Sequence, residues 1–178
     1  MPSNYLRYAI DGDNDGRIDL WGSRRDALAS AANFLSQLGW QPQQRWGREV
    51  KLPEDYDFAQ AVQQRPLQEW RSLGLRKADG GPLPVVAAMD AQLIIPSGHK
   101  GPVFLVYDNF NVIMQWNRST SYALSVGHLA DRIAGAGALQ RPIPNDQARL
   151  RRADVIQMEE LLTETGFEAG VLDGLLGY

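Results

Sequence analysis

Three aspartates at alternate positions, Asp11, Asp13 and Asp15, followed directly by Gly16, gather hard oxygen donors in the run Asp-Gly-Asp-Asn-Asp-Gly. Calcium takes several such ligands, and a tight loop aims side chains one, three and five at one point while the main-chain carbonyl at seven adds another. That spacing reads Asp11, Asp13 and Asp15 as side-chain ligands and Arg17 as a carbonyl donor. Gly16 falls at position six, where the sharp turn favours a residue that tolerates positive φ. Ile18 falls where such loops send one apolar side chain into the core. Position twelve, however, is Gly22 rather than the bidentate glutamate of the standard loop, and the nearest substitute is Asp26. Two readings of this region stay open. Asp26 closes a longer metal loop from the first turn of the next helix, or Ser23 and Asp26 form a capping box beside an Asx turn that holds no metal.

The elements that must position these groups follow from periodicity. Ser3 to Ala9 reads as a short helix capped by Ser3, and Ser23 to Leu38 as a helix carrying Ala27, Leu28, Ala31, Ala32, Phe34 and Leu35 at helical spacing, with Gly39 as its stop. Helix, loop and helix in that order make an EF-hand arrangement. Trp46, Val50 and Leu52 alternate as in a short strand, and Tyr56 to Gln64 and Pro66 to Leu73 read as two short helices. Val85 to Ile95 and Val103 to Tyr107 are β-branched enough to make a small sheet at about 85–107. Asn109 to Gln115 forms a short helix. Ser119 to Ile133 forms a longer one, expected to bury Leu124, Val126, Leu129, Ala130 and Ile133. Gly135 to Pro144 reads as a linker, Leu150 to Thr165 as another amphipathic helix, and the rest as a turn-rich tail.

Composition narrows the function classes. The chain has 178 residues, 44% hydrophobic and 22% charged, which is ordinary for a soluble protein. A net charge of −3 gives no general attraction to nucleic acid or to an anionic membrane. The absence of cysteine removes disulfides, zinc-thiolate sites and thiol catalysis. No apolar run is long enough to span a membrane, and Met1-Pro2-Ser3-Asn4-Tyr5 does not open a signal peptide. Neither His99 nor His128 has a partner at zinc-ligand spacing. His128, on a helix with Asp131, suits a hydrogen-bonded structural role, and Arg149, Arg151 and Arg152 suit a solvated helix start.

Several blocks in order resemble the lytic murein transglycosylase B family: Met1-Pro2-Ser3-Asn4-Tyr5-Leu6-Arg7-Tyr8-Ala9, the aspartate loop, and Asp26-Ala27-Leu28-Ala29-Ser30-Ala31-Ala32-Asn33-Phe34-Leu35. Val103-Phe104-Leu105-Val106-Tyr107-Asp108-Asn109-Phe110, Trp116-Asn117-Arg118-Ser119-Thr120-Ser121-Tyr122-Ala123 and Val126-Gly127-His128-Leu129-Ala130-Asp131-Arg132-Ile133 continue the match to about residue 135. The resemblance implies an α+β fold, mainly helical, with a lysozyme-like and EF-hand-like portion and a small sheet insertion. It implies a periplasmic location and action on peptidoglycan, cut between N-acetylmuramic acid and N-acetylglucosamine to leave a 1,6-anhydro end. It also implies calcium in a long loop closed by an aspartate, the place Asp26 offers over 11–26.

The chain departs from the family where the catalysis sits. The family's catalytic glutamate lies in a tryptophan-glycine-valine-glutamate-serine segment upstream of the methionine-proline-serine with which this chain begins. One carboxylic acid carries both proton transfers in such chemistry, so the chain alone is expected to be inactive, with no catalytic residue of its own. The resemblance makes residues 1–140 the carboxy-terminal part of the transglycosylase domain, incomplete at the N-terminus. Residues 141–178 become a linker and the truncated first half of a peptidoglycan-binding module. The expected partners are peptidoglycan glycan strands and a separate segment carrying the missing catalytic part. Trp116, Asn117, Ser119 and Tyr122 are then the expected saccharide-binding residues, although Trp116 and Tyr122 equally suit core between two helices. The alternative function is a calcium-stabilised peptidoglycan-binding or scaffolding protein without catalysis.

Overall fold

The computed structural model describes residues 2–58, 61, 63–86, 89–98, 100–145, 150–167 and 169–174. The chain divides into two compact units, Met1–Ile143 and Pro144–Tyr178. In the first, helix α1 (Pro2–Tyr8) leads through the aspartate loop into α2 (Arg24–Gln37). Strand β1 (Gly47–Lys51), the two-residue strand β2 (Arg65–Pro66), helix α3 (Leu67–Ser72) and the two-residue strand β3 (Arg76–Lys77) follow. Strands β4 (Asp90–Ile94) and β5 (Val103–Val106) complete an antiparallel sheet of order β2-β4-β5-β1-β3, and α4 (Asp108–Trp116) and α5 (Thr120–Ile133) close the unit.

The sheet separates two cores because successive side chains of a strand point to opposite faces. Val103 and Leu105 of β5, with Leu93 of β4, face Leu67, Trp70, Leu75 and Leu83. Phe104 and Val106 face Trp46, Phe110, Ile113, Ala123 and Leu124 on the helical side. All of β5 is therefore buried, which explains its unbroken apolar run. Trp70 is fully enclosed, and its indole N–H donates to the Ala91 carbonyl at 2.9 Å.

Several expected elements differ. Ser3 lies inside α1 rather than capping it. Residues 59, 60 and 62 of the expected Tyr56–Gln64 helix lie outside the described residues, and the described ones contain no α-helix. Pro66 is the N-cap of α3, not its first helical residue. Among the described residues of Val85–Ile95, which leave out 87 and 88, Asp90–Ile94 is the strand, and Val85 is 77% exposed. His99, Arg149 and the last four residues of the tail lie outside the described residues.

The buried face of α5 is also rotated from the expected one: Ala123, Leu124 and Gly127 are buried, while Leu129 and Ile133 are exposed. Gly127 is the reason. A Cβ there would lie 2.4 Å from Trp46 Cδ2, so the helix comes to rest on the indole through a position without a side chain.

In the second unit α6 (Arg152–Glu164) starts with the Arg151 amide donating to Asp154 Oδ2 at 2.8 Å. The Arg151 guanidinium first, and its amide next, hold the Asp154 carboxyl below the usual carboxylate range. Glu159 is buried and accepts the Gly174 amide at 3.1 Å, tying the tail to the helix. No helix among the described residues is long and apolar enough to cross a membrane.

Candidate functional site

The aspartate loop folds around its own carboxylates. Asp11 Oδ1 accepts from the Asn14 amide at 2.6 Å and Asp11 Oδ2 from the Gly16 amide at 2.8 Å, which winds the loop back over its first residue. That winding puts Asn14 at φ +61° and Gly16 at φ +88°, the left-handed region that favours Gly and tolerates Asn. Asp13 Oδ2 accepts the Ser23 hydroxyl at 2.6 Å. Asp13 Oδ1 is buried and has no hydrogen-bond partner.

Asp26 reaches this centre from α2. Ser23 caps the helix, its side chain accepting from the Asp26 amide at 3.2 Å. The reciprocal half of a capping box does not form, because the Asp26 side chain turns to the loop instead. Its Oδ1 accepts the Gly12 amide and its Oδ2 the Asp19 amide, both at 2.8 Å. Asp26 is 1% exposed. The Asp19 amide is the main cause holding its carboxyl below the ordinary range; burial opposes this, and the Gly12 amide reinforces it. Gly12 allows the close approach, since a Cβ there would lie 2.6 Å from both the Ala29 Cβ and the Arg25 carbonyl oxygen.

Oxygens of Asp11, Asp13 and Asp26 thus all lie within 4.8 Å of one another. Carboxylates gathered so closely repel one another, and a buried oxygen without a partner is costly unless a cation offsets both. The donors are all hard oxygen, so the arrangement fits calcium. Asp15 lies outside this trio: it is exposed, and its Oδ1 accepts the Arg17 amide at 2.8 Å. Ile18 is 40% exposed rather than in the core, and its carbonyl accepts the Tyr5 hydroxyl at 2.8 Å. Ser30 completes the attachment of loop to helix, accepting the Ile10 amide at 2.9 Å.

The expected saccharide residues cluster at the α4–α5 junction. Trp116 ends α4 at 45% exposure and meets Phe34 of α2 edge to face, with centroids 5.0 Å apart. Phe34 meets Tyr8 of α1 in the same way at 4.7 Å. Trp116 is thus braced through part of its ring and open through the rest. Asn117 follows α4, its Oδ1 accepting the Ser119 amide at 3.1 Å. Ser119 caps α5 by accepting the Tyr122 amide at 3.2 Å, and Tyr122 is 37% exposed.

Sequence reasoning missed the groups that hold this junction to the sheet. Asn109 is fully buried; its amide nitrogen donates to the carbonyls of Gln41 and Gln44, both at 2.9 Å, and its Oδ1 accepts the Gln41 amide at 2.8 Å. Asp131 accepts from Trp46 Nε1 and Arg45 Nη2, both at 3.1 Å, so its partners lie on the segment before β1. Glu49 accepts the amides of Gln140 and Arg141 at 2.7 and 2.8 Å. Each partnership spans far more of the chain than any local pattern; only the helical setting of Asp131 gave a signal.

Comparison with known proteins places these features in a family. A family model described as "Transglycosylase SLT domain" matches residues 1–131. Membrane-bound lytic murein transglycosylase B of Escherichia coli (strain K12) is 27% identical over 148 residues, which is 75% of this chain and 36% of that protein. Among solved structures, SltB3 from Pseudomonas aeruginosa in complex with NAG-anhNAM-pentapeptide is 42% identical with a TM-score of 0.87, over 99% of this chain and 48% of that one. The Escherichia coli lytic transglycosylase Slt35 in complex with calcium is 27% identical with a TM-score of 0.60, over 75% of this chain and 42% of that one. The chain spans less than half the length of each of these relatives.

Proposed function

The chain belongs to the transglycosylase SLT domain family, and from that premise we propose that it supplies the calcium-braced, glycan-binding part of a lytic murein transglycosylase. Such an enzyme cuts peptidoglycan between N-acetylmuramic acid and N-acetylglucosamine to leave 1,6-anhydro ends, in the periplasm. Asp11, Asp13 and Asp26 would hold calcium, with Asp15 and the Arg17 carbonyl as the further ligands that the loop spacing offers. When bound, the ion neutralises the gathered carboxylates and fixes the start of α2. Leu150 to Gly177 resembles the first part of a peptidoglycan-binding module, which is consistent with the same polymer as partner.

One observation carries the glycan reading: Trp116 is held edge-on by Phe34 yet 45% exposed. A ring fixed on one side and open on the other loses little freedom when a sugar face stacks on it. Asn117 and Tyr122, on the same α4–α5 junction, offer an amide and a hydroxyl. The stretch 116–122 contains no carboxylic acid, and Glu49 has both oxygens engaged by backbone amides. On this reading the chain by itself binds glycan without cleaving it.

Two measurements test this on the full chain. Cosedimentation with purified peptidoglycan should retain the protein, and Trp116→Ala should release most of it. Chromatography of the same mixtures should show no anhydro-sugar products. Loss of retention for the wild type would overturn the binding reading, and product release would overturn the inactivity.

A further inference from the structure

A groove of about 490 Å³ opens between the end of α2 and the outward face of α4, lined by Leu38, Asn111, Met114, Gln115 and Arg118. Asn111 and Gln115 stand four residues apart on α4 and so share one face. Arg118, just past the helix, lines the same groove. All three are exposed, and among the described residues none of their side chains has a hydrogen bond or ion pair. Leu38 and Met114, both half-buried, give an apolar floor. Among the described residues no acid lines the groove, so in a chain of net charge −3 this spot is locally cationic.

The groove also has a fixed relation to the stacking ring. Leu38, the C-cap of α2, follows Phe34 by four residues and donates its amide to the Phe34 carbonyl at 3.0 Å, and Phe34 is the residue that braces Trp116. The groove therefore begins about one helical turn, ~5.4 Å, from that contact. At that distance the groove is within reach of a substituent of a strand stacked on Trp116.

We propose that this groove holds a carboxylate carried on the muramyl substituent of the glycan strand, and that Arg118 is the residue selecting for it. A guanidinium offers two parallel N–H donors that match a carboxylate, and the two amides can satisfy neighbouring peptide or acetamido groups. The carboxylate is either the free lactyl group of a bare muramic acid or one on an attached peptide. The inference rests on the glycan reading of Trp116.

Calorimetric titration of the full chain with three probes separates the possibilities: a tetramer of N-acetylglucosamine, a peptide-free tetrasaccharide with lactyl carboxylates, and the same tetrasaccharide bearing peptides. At least one carboxylate-bearing probe should bind about tenfold more tightly than the uncharged tetramer. Whichever shows the preference identifies the source of the carboxylate. Arg118→Gln should abolish that preference and leave the uncharged tetramer unaffected, and Arg118→Lys should retain part of it. Equal affinity of the wild type for all three probes, or an equal loss for all three in Arg118→Gln, would overturn the role of Arg118 while leaving the glycan reading standing. Binding of none would overturn both.

Discussion

Asp13→Asn is nearly isosteric, keeps an acceptor for the Ser23 hydroxyl, and removes one charge from three carboxylates whose oxygens lie within 4.8 Å of one another. Calcium bound by the folded wild type alone would stabilise it by RT ln(1 + [Ca²⁺]/Kd). A Kd of about 0.1 mM, at the tight end for extracellular modules, and about 10 mM calcium give a ratio near ~100 and therefore about 2.7 kcal/mol. For a chain of this length each kcal/mol moves the melting temperature by about 2–4 °C, so calcium should raise it by roughly 5–10 °C over EDTA. In Asp13→Asn the rise should shrink to below about 2 °C. The melting temperature in EDTA should not fall, because repulsion among the remaining carboxylates is weaker. Asp15→Asn, outside the three-carboxylate cluster, should retain an intermediate rise. Circular dichroism melts of the three proteins with and without calcium decide the matter. A wild-type melt indifferent to calcium, or a full rise in Asp13→Asn, would refute the metal centre.

Three further outcomes follow from the packing and the charges. Gly127→Ala should destabilise by about 1–3 kcal/mol in urea unfolding even though alanine is the better helix former, because its methyl has no room against Trp46; stabilisation would show that α5 can lift off the indole. Asn109→Ala strands the Gln41 amide and the Gln44 carbonyl, leaves the Gln41 carbonyl only the Gln44 amide at 3.3 Å, and should cost about 2–3 kcal/mol by the same measurement; a cost below about 0.5 kcal/mol would mean that water replaces those bonds. The Asp154 carboxyl should titrate by NMR below 3.8, its unperturbed value, and Arg151→Gln should move it back up. Because the folded value is the lower one, the stabilisation this group gives α6 is complete above pH 3.8 and fades as pH falls through the folded value. An Asp154 titration unmoved by Arg151→Gln would remove Arg151 as the cause.

What was legible in the sequence was local. The Ser23 cap, the Gly39 stop and the β5 apolar run each depend on near neighbours, and the structure has each in place, whereas of the alternating aspartates it gathers Asp11 and Asp13 with Asp26 and leaves Asp15 outside. Strands β2 and β3 were invisible because two residues carry no periodicity, and their pairing is imposed by β4 and β1. The buried face of α5 was misread because a hydrophobicity pattern counts side chains, whereas here the contact is made where a side chain is missing. Asp26 could be named as a member of the loop from spacing, but its two amide partners could not. Asn109 was passed over because its importance lies in a loop distant in sequence.

The residues that α2 buries are Asp26 and Ser30, both polar, while Leu28 on the same helix is 72% exposed. The helix is thus joined to the loop chiefly by directional bonds and little by apolar area. Exposing polar groups lowers the heat capacity of unfolding, whereas exposing apolar ones raises it. The junction of loop and helix therefore contributes little to the curvature of the stability curve, and it keeps its grip on cooling, when the two apolar cores around the sheet lose part of theirs.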